Sequence, residues 1–196
     1  MRRFRNGYVL IKIKYADGRT QLIRKLVSFL SIIVVMQGCS YTVPEPKPYQ
    51  LEGLGRGAIA GNLVIASQPS PEGLKHFTEQ GFGRVISARG EGEIDWDEAG
   101  QVKALGMEYV EVPMGKPLVA ISDEQVELLD QALKSSTKPI LLHCGSSNRA
   151  AGLWTVWLVE RKGVAIPEAL RLGRLMGMTS TRVLVDERLG LAIKKN

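Results

Sequence analysis

The sequence predicts an α/β fold with a central, mostly parallel sheet of about four to five strands flanked by helices. Two observations carry this expectation. From residue 63 onward, short apolar runs alternate with segments that have helical caps and spacing, the pattern of strands joined by crossover helices. One of these runs, Pro139-Ile140-Leu141-Leu142, is apolar throughout, as expected for a strand covered on both faces.

The elements follow in order. Leu63-Val64-Ile65-Ala66 is a short apolar run and a strand. Ser70-Pro71 is a cap followed by a first-turn proline, so a helix starts there and carries Leu74, His76 and Phe77 before Gly81. Arg84 to Ser87 is the next strand, and Asp95 to Leu105 is helical up to Gly106. Tyr109-Val110-Glu111-Val112 alternates as a strand closed by Pro113. Ser122-Asp123-Glu124-Gln125 is a capping box, followed by Val126, Leu129 and Leu133 on one helical face. After Pro139–Leu142 the segment Ala150 to Arg161 is helical, with Leu153/Trp157 and Trp154/Leu158 four residues apart. Two further helices are expected near 167–176 and 181–190.

Ahead of this domain, expected over 58–196, the composition changes twice. Residues 1–38 hold eight of the 26 Lys/Arg and one of the 20 acids, leaving 18 basic and 19 acidic residues in the rest. The formal charge of +6 is therefore a property of the leader, which removes the main support for a nucleic-acid partner. Leu26 to Gly38 is a 13-residue apolar run behind Arg24-Lys25, short of the roughly 20 residues a membrane span needs. These features resemble an export signal, and Met36-Gln37-Gly38-Cys39-Ser40 resembles a bacterial lipoprotein signal with Cys39 as the acylated residue. Leu is usual where Met36 stands, and a small residue where Gln37 stands. The alternatives are an uncleaved anchor helix or a buried strand. Residues 39–57 contain Pro44, Pro46 and Pro48, then Gly53, Gly55 and Gly57, and read as a tether. The expected location is the bacterial cell envelope, with a membrane contact through the lipid or the signal segment. Cys144 would then be an unpaired thiol in an exported protein. Only His76 and His143 are present and no cysteine pair has zinc spacing, so no metal or cofactor is expected.

The chemistry concentrates after the apolar strand: His143-Cys144-Gly145-Ser146-Ser147-Asn148-Arg149, then a helix. Ligands of open α/β sheets sit beyond the C-terminal strand ends. A helix N-terminus there offers free N–H groups and a positive dipole end. Gly145, Ser146, Ser147 and Asn148 are small or turn-tolerant and let successive amides form an anion-binding nest. Arg149 adds a planar fork suited to two oxygens of a phosphate or sulfate. The same field favours the thiolate of Cys144, a competent nucleophile for a covalent intermediate. His143 points to the opposite strand face and is expected to hold the loop through hydrogen bonds. The alternative is that Cys144 is a small buried residue of a strand-to-helix turn.

On these residues the chain from about Gly57 to Ser180 resembles bacterial cysteine phosphatases of the beta-lactamase-hydrolase-like type, small relatives of the tyrosine and dual-specificity phosphatases. The resemblance runs through Ala66-Ser67-Gln68-Pro69-Ser70, Gly81-Phe82, Val85-Ile86-Ser87-Ala88-Arg89, Gly106 to Pro113, His143 to Arg149, and Leu153-Trp154. It implies a cysteine-phosphatase-like domain acting on a phosphorylated protein or small molecule. Cys144 would attack phosphorus, Arg149 would bind phosphoryl oxygens, and the amides of 145–149 would stabilise the transition state. Three departures stand out. Four residues separate Cys144 from Arg149, where typical tyrosine phosphatases have five. Ser147 stands where glycine is usual. Met114-Gly115 follows Pro113, where those enzymes carry an acidic proton donor. Glu91, Glu93, Asp95 and Asp97 are candidates for that role, the alternative being an ordinary solvated helix start. The four-residue spacing also suits a rhodanese-like sulfurtransferase, and the missing acid suits a non-catalytic phosphate-binding module.

Overall fold

The structure is a computed structural model in which residues 41–134 and 136–191 are described. The leader expected at 1–38 and the lipidation expected at Cys39 lie outside these residues. Among the described residues six strands form one sheet: β1 (Lys47–Pro48), β2 (Gly57–Ala60), β3 (Leu63–Ala66), β4 (Arg84–Ser87), β5 (Glu108–Glu111) and β6 (Ile140–His143). Their order is β1-β2-β3-β6-β4-β5. The run β3-β6-β4-β5 is parallel throughout and matches the four strands read from the sequence. β1 and β2 extend it antiparallel, so the sheet is mixed and one strand wider than expected.

That extension lies partly in residues 41–57, whose composition reads as a tether. Lys47 pairs with Ile59 and Pro48 with Ala58. The Tyr49 ring stacks 6.0 Å from Phe77, Tyr41 meets Trp157 edge-on at 6.1 Å, and Glu45 pairs with Arg171 at 2.7 Å. Proline is tolerated here because β1 is an edge strand. The apolar body of the domain is therefore already engaged at Tyr41.

The helices are α1 (Pro71–Glu79), α2 (Glu98–Ala104), α3 (Asp123–Leu133), α4 (Asn148–Lys162), α5 (Ile166–Leu175) and α6 (Arg182–Arg188). Their starts follow the local chemistry. The Ser70 side chain accepts from Gly73 N at 3.1 Å, and Asp97 does the same for Gly100 N at 2.8 Å. Ser122 and Gln125 form the reciprocal capping box. Side chains alternate across each strand, so the sheet serves two cores. Val64, Val85 and Leu141 meet Leu74 and Phe77 of α1 and Val102 of α2. Ile65, Ile86 and Leu142 meet the layer of α3 to α6. Each of these fully buried aliphatic side chains contributes roughly 1.5–3 kcal/mol. Helix α4 is the innermost, buried from Arg149 to Leu158 and packed against β3, α3, α5 and α6. The Trp157 indole N–H is satisfied by Asp130 Oδ1 at 2.9 Å.

This arrangement makes the central strand end where the site must form. Ala66 of β3 and Ser87 of β4 are both level with His143 of β6. Ser67, Cys144 and Ala88 therefore leave the sheet side by side.

Candidate functional site

Backbone bonds carry the register past the strand ends. Cys144 N donates to Ala66 O at 3.4 Å, Ala88 N donates to His143 O at 2.7 Å, and Ser67 bridges Ser146. The chain then turns through Gly145 and Ser146 into Ser147, which is left-handed at φ 69° and ψ −23°. Ser147 is the N-cap of α4, yet its side chain does not cap the first turn; its hydroxyl donates to the Ser146 carbonyl instead. The leading amides of a 15-residue helix are thus left without a side-chain acceptor, and no acid occupies its first turn. A helix start of this kind favours an anion.

Arg149 is 6% exposed and held by three oxygens. Nη1 donates to Glu93 Oε1 at 2.6 Å, Nη2 to Glu93 Oε2 at 2.5 Å, and Nη1 also to the Met114 carbonyl. The Glu93 pairing keeps the guanidinium pKa above its ordinary value despite burial. The Arg149 fork, the Gly90 N–H at 2.8 Å and the nearby Lys116 ammonium hold the Glu93 carboxyl down to about 2, against its desolvation. Glu93 is therefore a fixed anion across the neutral range and cannot donate the proton considered for it in the sequence.

Beneath the loop lies a second polar group of buried residues. His143 is fully buried on the α1–α2 side, as the strand alternation predicts. Its Nε2 is 3.3 Å from Glu98 Oε1. Burial drives its pKa down to about 4, outweighing Glu98 and the Cys144 backbone, which favour protonation, so the imidazole is neutral at pH 7. Its backbone carbonyl accepts from Ala88 N, which ties the end of β6 to the end of β4. Glu98 is the hub: it accepts from Arg89 at 2.7 Å, Gln68 at 2.6 Å and the Tyr109 hydroxyl at 3.2 Å. Removing one partner of such a buried pair typically costs about 3–5 kcal/mol, so this hub fixes the strand ends that carry the loop.

From behind, the turn between α5 and α6 clasps the loop. Asn148 Oδ1 accepts from Thr179 N at 2.7 Å and from Thr181 Oγ1 at 2.7 Å, and its Nδ2 donates to Ser180 Oγ at 2.8 Å. The Asn148 side chain is thereby committed to holding the loop, and the anion contact expected of this residue is one for its backbone amide. Gly177, at φ 110°, lies against Ser147; an added Cβ there would stand 3.0 Å from Ser147 Cβ and closer still to its Oγ.

The structure brings Cys144, Gly145, Ser146, Ser147, Asn148 and Arg149 into one loop beside a groove of about 590 Å³. Lys116, Gly145, Ser146 and Arg149 form its polar end and Leu118, Val183 and Leu184 its apolar walls. The Cys144 thiol is 0% exposed beneath this floor. Ser147 is also fully buried and is a backbone element of the turn. Of the acids proposed from sequence, Asp97 is spent as the α2 cap, and Glu91 and Asp95 are exposed. Sequence reasoning missed Glu98, Lys116 and Gly177. For Glu98 the only local signal is its place in the acidic stretch after Arg89; for Lys116 and Gly177 no local pattern exists.

Known proteins share sequence and fold with this chain. A beta-lactamase hydrolase-like protein of Agrobacterium fabrum is 28% identical over 103 residues, which are 50% of this chain and 23% of that relative. The chain thus spans less than a quarter of that relative's length. Tk-PTP in its active form superposes with a TM-score of 0.55 at 21% identity, covering 66% of this chain and 91% of that one. A DUF442 protein from Shewanella putrefaciens CN-32 superposes at 0.52 with 16% identity, covering 82% and 97%. At these identities the likeness shows a common fold. Residues 57–159, more than half of the chain, match the family described as beta-lactamase hydrolase-like protein, phosphatase-like domain, and the chain belongs to that family.

Proposed function

We propose that this domain is a cysteine-dependent phosphatase that hydrolyses phosphate monoesters, phosphotyrosine proteins among them, through a cysteinyl-phosphate intermediate. The observation that carries the reading is the meeting of Cys144 and a buried, pre-oriented Arg149 at a helix N-terminus whose cap leaves its amides to an anion. In the first step Cys144 Sγ, as thiolate, forms a bond to phosphorus as the ester P–O bond breaks, and the leaving oxygen departs as an anion that takes its proton from solvent water. In the second, water attacks the cysteinyl phosphate, releasing inorganic phosphate and restoring the thiolate. Arg149 and the 145–149 amides carry the charge of the transferring phosphoryl. The body of the ester lies along Leu118, Val183 and Leu184. Because the thiol is covered, the loop floor or the Arg149 side chain must give way as a phosphoryl enters.

That same burial, with Glu93 ionised and no acid after Pro113, favours a second reading: a non-catalytic phosphate-binding module. A sulfurtransferase has no comparable support in the geometry. One set of experiments separates the three. The purified chain and Cys144→Ser are assayed on an aryl phosphate and on thiosulfate, and Cys144 alkylation is followed by mass spectrometry with and without vanadate. The phosphatase reading expects aryl phosphate turnover that Cys144→Ser abolishes while phosphate binding persists, and alkylation that vanadate suppresses. Binding without turnover favours the module. A thiol inert at pH 7 and indifferent to oxyanions is a core residue, and the catalytic reading fails.

A further inference from the structure

We infer that Lys116 is the second cation of the phosphate cradle, a substrate-contacting residue that takes a phosphoryl oxygen beside Arg149. The inference rests on the phosphate-site reading above and deepens it.

Two distances bring Lys116 to the site. The Arg149 Nη2 and Lys116 Nζ atoms stand 3.7 and 3.8 Å from the same point, the place a Cβ on Gly145 would occupy, one residue beyond Cys144. They also share one anionic oxygen already: Glu93 Oε2 is 2.5 Å from Nη2 and 3.5 Å from Nζ. A carboxylate oxygen therefore sits where both cations reach it, which is the arrangement a phosphoryl oxygen needs.

Charge decides why a second cation matters. Glu93 stays ionised and offsets the charge of Arg149, so that pair presents little net charge to an incoming dianion. Among the described residues lining the groove only Arg149 and Lys116 are charged, and the net positive charge of its mouth is that of Lys116. The Lys116 side chain is 67% exposed, and its contact with Glu93 is long. Glu93 keeps its bidentate bonds to Arg149 when the ammonium moves, so Lys116 can leave this long contact for a phosphate oxygen. The competing reading is a surface lysine that only balances Glu93.

The test uses the full chain, with inorganic phosphate as the probe in calorimetric titration and as a competitive inhibitor of aryl phosphate turnover. Lys116→Met should weaken phosphate about tenfold or more, the loss of one charge-assisted hydrogen bond. KM should rise more than kcat falls. The salt dependence of phosphate affinity should flatten relative to the parent protein. Lys116→Arg should recover most of the affinity. Unfolding midpoints should match, since the side chain is exposed, which separates a lost contact from a damaged fold. Phosphate binding by Lys116→Met within twofold of the parent overturns the proposal. If the parent itself neither binds phosphate nor shows oxyanion protection of Cys144, the phosphate-site reading fails and Lys116 falls with it.

Discussion

Gly177→Ala is the most informative single change outside the loop. Gly177 holds φ 110°, a conformation that side chains with a Cβ rarely adopt. Forcing alanine into it costs about 1–3 kcal/mol in backbone strain. The new methyl would also stand 3.0 Å from Ser147 Cβ, inside ordinary contact distance. Ser147 is fully buried and cannot swing into solvent, and overpacking of this kind adds about 1–3 kcal/mol. The sum, about 2–6 kcal/mol, is a large part of the stability of a domain of this size. Ser147→Gly alone should be nearly neutral, because relief of its left-handed backbone opposes the loss of its packing and the greater freedom of glycine in the unfolded chain. In Gly177→Ala/Ser147→Gly the strain remains but the clash is gone. The double mutant should therefore be more stable than the sum of the single changes by about 1–3 kcal/mol. Urea unfolding of the four proteins at matched slopes measures this. Additivity within about 0.5 kcal/mol would refute the tight contact between the α5–α6 turn and the loop.

Acid should destabilise the domain in a defined order. The unfolded chain protonates His143 near 6.5, while the folded protein resists until about 4. Stability is then fully present above 6.5 and declines as pH falls toward 4, by roughly 3 kcal/mol in all. His143→Gln should flatten that part of a pH series of unfolding midpoints, and an unchanged slope would mean the imidazole is not the group responsible. Glu93 follows by the same sign, its depressed carboxyl giving up stability between about 4.5 and about 2. Leaving-group dependence should be steep as well: Glu93 is locked to Arg149 and no acid follows Pro113, so alkyl phosphates should lag aryl phosphates. A positioned proton donor is worth about 10² to 10⁴ in rate. Equal kcat/KM on an alkyl and an aryl phosphate would reveal a donor elsewhere.

Features written in local sequence were legible. Ser70 and the Ser122/Gln125 box cap helices as read, and the apolar run before His143 is the central strand. The loop from Cys144 to Arg149 was visible because strand, small-residue turn and helix are contiguous. β1 and β2 were hidden because proline and glycine mask strand periodicity, and because pairing such as Lys47 with Ile59 depends on distant residues. The partner of Arg149 was hidden for the same reason: Glu93 lies 56 positions earlier in an acidic stretch where any carboxylate looks equivalent. Only the fold singles it out, by placing it against the guanidinium while Asp97 turns back to its own helix. Asn148 shows the same limit. Its backbone amide was expected in the anion nest, and nothing in the local sequence announced that its side chain also braces the loop.

The brace has a practical consequence for where this domain can be cut. The family match ends at residue 159, within α4, and contains both Cys144 and Arg149. The residues that hold Asn148 and abut Ser147, namely Gly177, Thr179, Ser180 and Thr181, all lie beyond that boundary. A fragment trimmed to the shared segment would keep every residue from Cys144 to Arg149 and lose the wall that loop leans on. In this chain the residues that hold the loop and line its groove run into α6, so the C-terminal helices belong to the site rather than to its periphery.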